Sequence, residues 1–322
     1  MAAVTRSPAR ANTHEGPATT VSTAVDTVPE PTQPCTPNPT QCSTTTTSTS
    51  TTTTTAVQEE TTTTTEAEST TTTTAPPSEP APRAAGYRLV AADGGVFVFG
   101  EEEYHGSLGN LRLNAPITAA VPSEDGYLLV AADGGVFAFG DAEFHGSMGG
   151  VPLNAAIVAA LPSEDGYLLV AADGGVFAFG DAEFHGSMGG TRLAAPIVGA
   201  LPSEDGYVLV AADGGVFAFG DAEFHGSMGG TRLAAPITAA VPADDGYLLV
   251  GRDGGVFAFG DAEYEGSMGG SRLVAPITAA LPDDGGYLLV AADGGVFAFG
   301  DAEFHGSAAG GPALNAPITA AV

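Results

Sequence analysis

The sequence predicts an all-β fold, and three features predict it. A unit of the type Gly126-Tyr-Leu-Leu-Val-Ala-Ala-Asp-Gly-Gly-Val-Phe-Ala-Phe-Gly140 begins again at Gly86, Gly166, Gly206, Gly246 and Gly286, 40 residues apart each time. Repetition at that period signals a solenoid or a propeller. Each repeat divides at turn residues into four short strand candidates, the count of a propeller blade, and leaves no room for a helix. Finally, the first repeat lacks the strand that opens every later one, while the chain finishes on a surplus copy of it, Ala316-Pro-Ile-Thr-Ala-Ala-Val322. The expected architecture is a six-bladed β-propeller of four-stranded blades, closed by the C-terminal strand so that no inner edge stays unpaired.

The elements follow from the second and third copies. Ile117-Thr-Ala-Ala-Val121 is read as the innermost strand, its small residues suiting a crowded axis. Tyr127-Leu-Leu-Val-Ala-Ala132 is the next, apolar on both faces and so covered on both. Asp133-Gly134 is a strong hairpin signal, because both residues tolerate positive φ. Val136–Phe139 is the third strand and Phe144–Met148 the fourth and outermost. There Glu143 and His145 alternate with Phe144, which predicts an outward, solvated face for the acid and the histidine. A Gly-rich loop then leads to Ile157 and the next copy.

Residues 1–85 differ in kind. They are Thr, Ser, Pro and Ala with almost no aromatics, and all the Tyr and Phe lie in 86–322. The expected organisation is a disordered Thr/Ser/Pro-rich tail and stalk over 1–85 and a six-repeat propeller over 86–322. An all-polar tract has no face to bury, and Thr/Ser runs near Pro resemble O-glycosylated stalks. Cys35 and Cys42 enclose six residues. A small disulfide loop and two free thiols both remain open, and the spacing does not suit a metal pair. The start of the sequence lacks a signal-peptide pattern, and no apolar run reaches a membrane span.

The formal net charge is −29, and there is no Lys. That argues against nucleic acid, which needs a basic footprint. Strand order predicts a polarised domain. One end collects 24 carboxylates against Arg88; the other sets the six Asp of the Asp-Gly-Gly turns against Arg112, Arg192, Arg232, Arg252 and Arg272. These five arginines are the candidate binding residues. Asp141, Glu143, Asp181, Glu183, Asp221 and Glu223 are the candidate metal ligands, with calcium the cation that clustered carboxylates favour, although no calcium-loop pattern is present and the expected resident cofactor is none.

The recurring His (His105, His145, His185, His225, His305, replaced by Glu265 in the fifth copy) and the Ser two residues later lack an orienting acid or an oxyanion hole. Near-identical repeats also multiply every residue, whereas catalysis needs one asymmetric constellation. No enzymatic activity is expected. The fifth copy changes twice, to Arg252 and Glu265, which standard strand spacings place on the order of 14 Å apart.

The run Gly-Tyr-Leu-Leu-Val-Ala-Ala-Asp-Gly-Gly-Val-Phe-Ala-Phe-Gly-Asp-Ala-Glu-Phe-His-Gly-Ser-Met-Gly-Gly resembles a repeat of actinobacterial secreted and cell-surface propeller-like proteins. The likeness covers 86–322. Where that family often has Trp after the Tyr, this chain has Leu128, Leu168, Val208, Leu248 and Leu288, and Arg88 in the first copy. The resemblance implies an extracellular or cell-surface setting and no particular activity. The expected function is a non-enzymatic, monomeric binding or display module whose partner is a glycan, a cell-wall polymer or a protein. The alternatives are a structural or adhesive repeat without a defined ligand, and a propeller hydrolase or lyase.

Overall fold

A computed structural model describes residues 86–322; the predicted tail and the Cys35/Cys42 pair lie outside the described residues. The described residues form six three-stranded antiparallel sheets, one per repeat, with no helix among them. Strands β1 (Gly86–Ala91) and β2 (Val96–Gly100) belong to the first repeat. Then β3 (Ile117–Ser123), β4 (Gly126–Ala131) and β5 (Val136–Gly140) make one sheet, and β6 (Ile157–Ser163), β7 (Gly166–Ala171) and β8 (Val176–Gly180) the next. The same pattern continues through β9 (Ile197–Ser203), β10 (Gly206–Ala211), β11 (Val216–Gly220), β12 (Ile237–Ala243), β13 (Gly246–Gly251) and β14 (Val256–Gly260). It ends with β15 (Ile277–Asp283), β16 (Gly286–Ala291) and β17 (Val296–Gly300). The last strand, β18 (Ile318–Ala321), pairs with β1, so the first sheet is assembled from both ends of the described chain in the order β18-β1-β2.

Turn chemistry sets the registers. Asp133 Oδ1 accepts a hydrogen bond from the Gly135 N–H at 3.1 Å, and the equivalent aspartate does the same in the other repeats. The Asp-Gly-Gly motif is thus a self-bonded turn between the second and third strands. A bulge interrupts the pairing of β3 and β4 between Ile117 and Ala119, leaving Thr118 as the extra residue. Its hydroxyl donates to Ile157 O in the neighbouring sheet at 2.9 Å. Thr319 of β18 donates likewise to Ile117 O of β3, and Thr278 of β15 to Ile318 O of β18, each at 2.9 Å. The sheet containing β18 therefore bonds to the sheets on either side of it.

The core lies between sheets rather than within one. Leu128 and Val130 of β4 pack with Tyr167 and Leu169 of β7, while Tyr127 and Leu129 of the same strand pack with Val90 of β1. All six residues of β4 are buried, as the two-faced apolar pattern requires. Each fully buried Leu is worth about 1.5–3 kcal/mol relative to exposure.

The outermost segment departs from expectation. Phe144–Met148 is not a strand, and the sheets have three strands instead of four. Its backbone groups are used elsewhere. The Tyr167 hydroxyl of the next sheet accepts from His145 N–H at 3.3 Å and donates to Gly146 O at 2.5 Å. The donation to Gly O recurs from Tyr87, Tyr127, Tyr207, Tyr247 and Tyr287, with Tyr87 bonding Gly306. Gly146 has φ 131°, and a Cβ there would stand 2.8 Å from the Phe179 ring, so only glycine allows this approach.

The predicted alternation holds at Glu143, which is exposed, and fails at the next two residues. His145 is half-buried: its ring lies edge-on to Tyr167 with centroids 5.9 Å apart. Phe144, expected to point inward, is 57% exposed. Period-two alternation fails because the segment is not a ladder strand, and the interface selects the imidazole instead.

Burial, the largest cause, holds the phenols of Tyr87, Tyr127, Tyr167, Tyr207, Tyr247 and Tyr287 above their ordinary value, against the opposing backbone hydrogen bonds. A folded-state value raised in this way contributes stability that is whole below the unfolded phenol's pKa, about 10, and is lost as pH rises through the folded value. In a Tyr104→Phe/Tyr264→Phe background only these six tyrosines remain. Phenolate absorbance should then appear only above about pH 10, together with loss of the strand circular dichroism signal. Ionisation at or below that pH with the signal intact would contradict the role given to the hydroxyls.

Candidate functional site: the clefts and ends of the sheet array

The register places the functional side chains. Gly126 pairs with Gly140, so the turn between first and second strands and the exit of the third share one end. The Asp-Gly-Gly turns lie at the opposite end, since Val130 pairs with Val136. Gly140 adopts φ 69°, and a Cβ there would collide with Asp125 O, which is why a glycine closes this corner.

At the acidic end, clefts open between successive sheets. Three have volumes of about 260, 490 and 390 Å³ and use equivalent residues. The first takes Asp141, Glu143 and His145 from one sheet and Glu164, Asp165 and Tyr167 from the next. The second is built from Asp181, Glu183 and His185 with Glu204 and Asp205, and the third from Asp221, Glu223 and His225 with Asp244 and Asp245. All the candidate metal ligands therefore line clefts. Yet among the described residues no group of three or more His, Cys, Asp or Glu side chains is disposed to hold a metal ion. Asp141 is engaged locally: its Oδ1 accepts from Ser123 Oγ at 2.8 Å and from Asp125 N–H at 3.0 Å, which ties the turn to the strand exit. Glu143 remains mostly exposed, with its Oε2 3.9 Å from His145 Nε2.

A larger cavity of about 610 Å³ is lined by Ala120, Ala160, Ala200, Ala240, Ala280 and Ala321, one from the first strand of each sheet. It extends toward Glu303 and His305, where β1 and β18 are not joined by a turn. The small residues read as axial from the sequence are those that meet here.

The candidate arginines behave as a set. Arg112, Arg192, Arg232, Arg252 and Arg272 are all exposed, and the described residues pair none of them with a carboxylate. Glu265 takes the histidine's place against the next sheet, with its Cγ 2.8 Å from where a Cβ on Gly300 would lie, and Tyr287 OH accepts from its N–H.

Sequence reasoning overlooked one pair. Arg88, 6% exposed, forms a salt bridge with Glu102, bonds Glu103 O through Nε at 3.1 Å, and sits 5.2 Å from the centroid of the Tyr127 ring. The signal was present: Arg88 replaces the Leu or Val of the other repeats, and Glu102 replaces their Ala, both in the same copy. Breaking a buried pair leaves one charge uncompensated, whereas replacing both partners with apolar residues is often neutral. Arg88→Leu and Glu102→Ala should each destabilise by about 3–5 kcal/mol, and the double variant should recover most of the loss in denaturant unfolding. Additive losses would mean the pair is not coupled.

Crowded carboxylates at one end repel, and salt screens them over about 10 Å at 0.1 M. Sodium chloride should raise the melting temperature. Calcium at matched ionic strength should raise it equally, and an excess rise would reveal a specific calcium site.

Among the described residues, no helix is long and apolar enough to cross a membrane. No protein-family model matches the sequence, and neither does any curated protein. Among solved structures, the computationally designed protein Ika8 is 17% identical, with 72% of each chain covered and a TM-score of 0.38. BamB from Moraxella catarrhalis is 15% identical over 72% of this chain and 85% of its own, with a TM-score of 0.40. Human WBSCR16 is 14% identical over 70% of this chain and 77% of its own, with a TM-score of 0.36.

Proposed function

We propose that residues 86–322 form a six-bladed β-propeller closed by β18, and that it serves as a multivalent, non-enzymatic binding module. Its blades have three strands each, and the outer segment clasps the next blade. The reading is carried by recurrence: the same cleft, with the same acid, histidine and tyrosine positions, appears between successive sheets. A catalyst concentrates unlike groups at one place, whereas recurring sites suit a ligand that itself repeats. The five exposed arginines at the near-neutral end would add contacts to weakly anionic groups. The resemblance of the repeat to secreted and surface proteins supports an extracellular setting.

The full chain should bind an immobilised glycan, cell-wall polymer or protein in an array, with no turnover of the ligand. A short soluble fragment of that ligand should bind at more than one site per chain by calorimetry. A single site per chain, conversion of the ligand to products, or no binding across the array would each overturn the reading.

A further inference from the structure

Six aromatic rings stand on the surface where the sequence pattern would have buried them. Tyr104, Phe144, Phe184, Phe224, Tyr264 and Phe304 occupy the same position in the six repeats and are 57–59% exposed. Large exposed aromatics are costly to solubility and are few in a surface without a use for them. Here the exposure is uniform across six copies, so it is a property of the segment and not of one loop. The cause is local: the neighbouring His or Glu takes the place against the next sheet, and the non-strand segment turns the aromatic outward.

Two of the rings have a polar companion. The Tyr104 hydroxyl bonds Ser107 Oγ at 3.0 Å, and Tyr264 bonds Ser267 Oγ at 3.2 Å, which places the serine three residues on within reach of the ring's far edge. The Phe copies keep that serine at 147, 187, 227 and 307. The rings are borne singly, one in each repeat. A flat apolar face beside a hydroxyl matches a pyranose ring, whose C–H face stacks on the aromatic while its hydroxyl groups reach the serine. Nucleic acid bases would also stack on such a ring, but a chain of net charge −29 repels a polyanion. The same charge disfavours acidic polysaccharides.

We infer that these six aromatics are stacking platforms for a neutral polysaccharide, each engaging one stretch of the polymer. This rests on the binding reading above and names its ligand class. With several platforms on one chain, binding a long polymer gains avidity of about 10²–10⁴ over a single contact. Loss of platforms should therefore weaken retention more steeply than their number falls.

The test uses the full chain on insoluble cellulose, chitin and starch, with an anionic polysaccharide and a protein panel alongside. Alanine variants remove one, three or all six aromatics; melting temperature checks that these exposed changes leave the fold intact. The wild-type chain should be retained on at least one neutral polymer, progressively less by the variants, with the six-fold variant about 100-fold weaker or worse. If the wild type binds a neutral polymer and the six-fold variant binds it equally, the platforms are not the site, while the binding module stands. Retention only on the anionic polymer or on protein would also overturn the platform assignment alone. Binding to nothing would overturn both.

Discussion

The buried tyrosine hydroxyl that bonds the glycine carbonyl of the preceding repeat is the contact on which the rest of the structure depends. It occurs at 2.5 Å in all six places, and one of them joins Tyr87 to Gly306 across 219 residues of sequence. A buried hydroxyl left without a partner costs about 1–3 kcal/mol, so each tyrosine demands its neighbour. The glycine answers with a backbone that no other residue could bring so near the facing phenylalanine. Three consequences follow from the one contact. The outer segment cannot join a ladder, the imidazole beside the glycine is drawn against the tyrosine, and the aromatic before it is turned to solvent.

That chain of consequences also marks where sequence reading ends. Asp133-Gly134 announced its turn because the side chain and the φ requirement act within two residues. Tyr127–Ala132 announced a strand covered on both faces because alternation shows no polar face. The pairing of 316–322 with the first repeat followed from a missing and a surplus copy of one strand, and β18 does lie on β1. Phe144–Met148, by contrast, carries strand-like alternation but has its backbone bonds taken by a tyrosine from another repeat. The partner that takes those bonds lies in the next repeat, so the faces of Phe144 and His145 were misassigned while that of Glu143 was not. The glycine at 146, isolated inside a strand-like run, was the available clue.

The acidic end follows the same logic at a coarser scale. Its polarity was legible because antiparallel order alone decides which turns share an end. What order could not supply was convergence. Asp141 bonds Ser123 and the Asp125 N–H, and Glu143 extends into solvent beside His145. Both line the cleft, yet only Asp141 also holds the corner of the turn. A high density of charge is a field, whereas a site requires that ligand atoms meet at one point.

The first sheet shows how near-identical repeats accommodate an exception. In the other five sheets a tight turn joins first and second strands and holds their register. β18 and β1 have no such turn, and their pairing relies on packing and backbone bonds, among them Arg88 N–H to Val322 O at 2.6 Å and Val322 N–H to Arg88 O at 3.0 Å. Arg88 is also the one buried charged residue among those described, and its side chain is held by Glu102, by Glu103 O and by the face of Tyr127. A leucine at this position would bury as well but would be tied to no particular partner. The guanidinium, fixed at three contacts, also fixes the backbone whose N–H and C=O receive the last residue of β18's extension. The departure from the repeat therefore falls at the pairing that has no covalent turn to set its register.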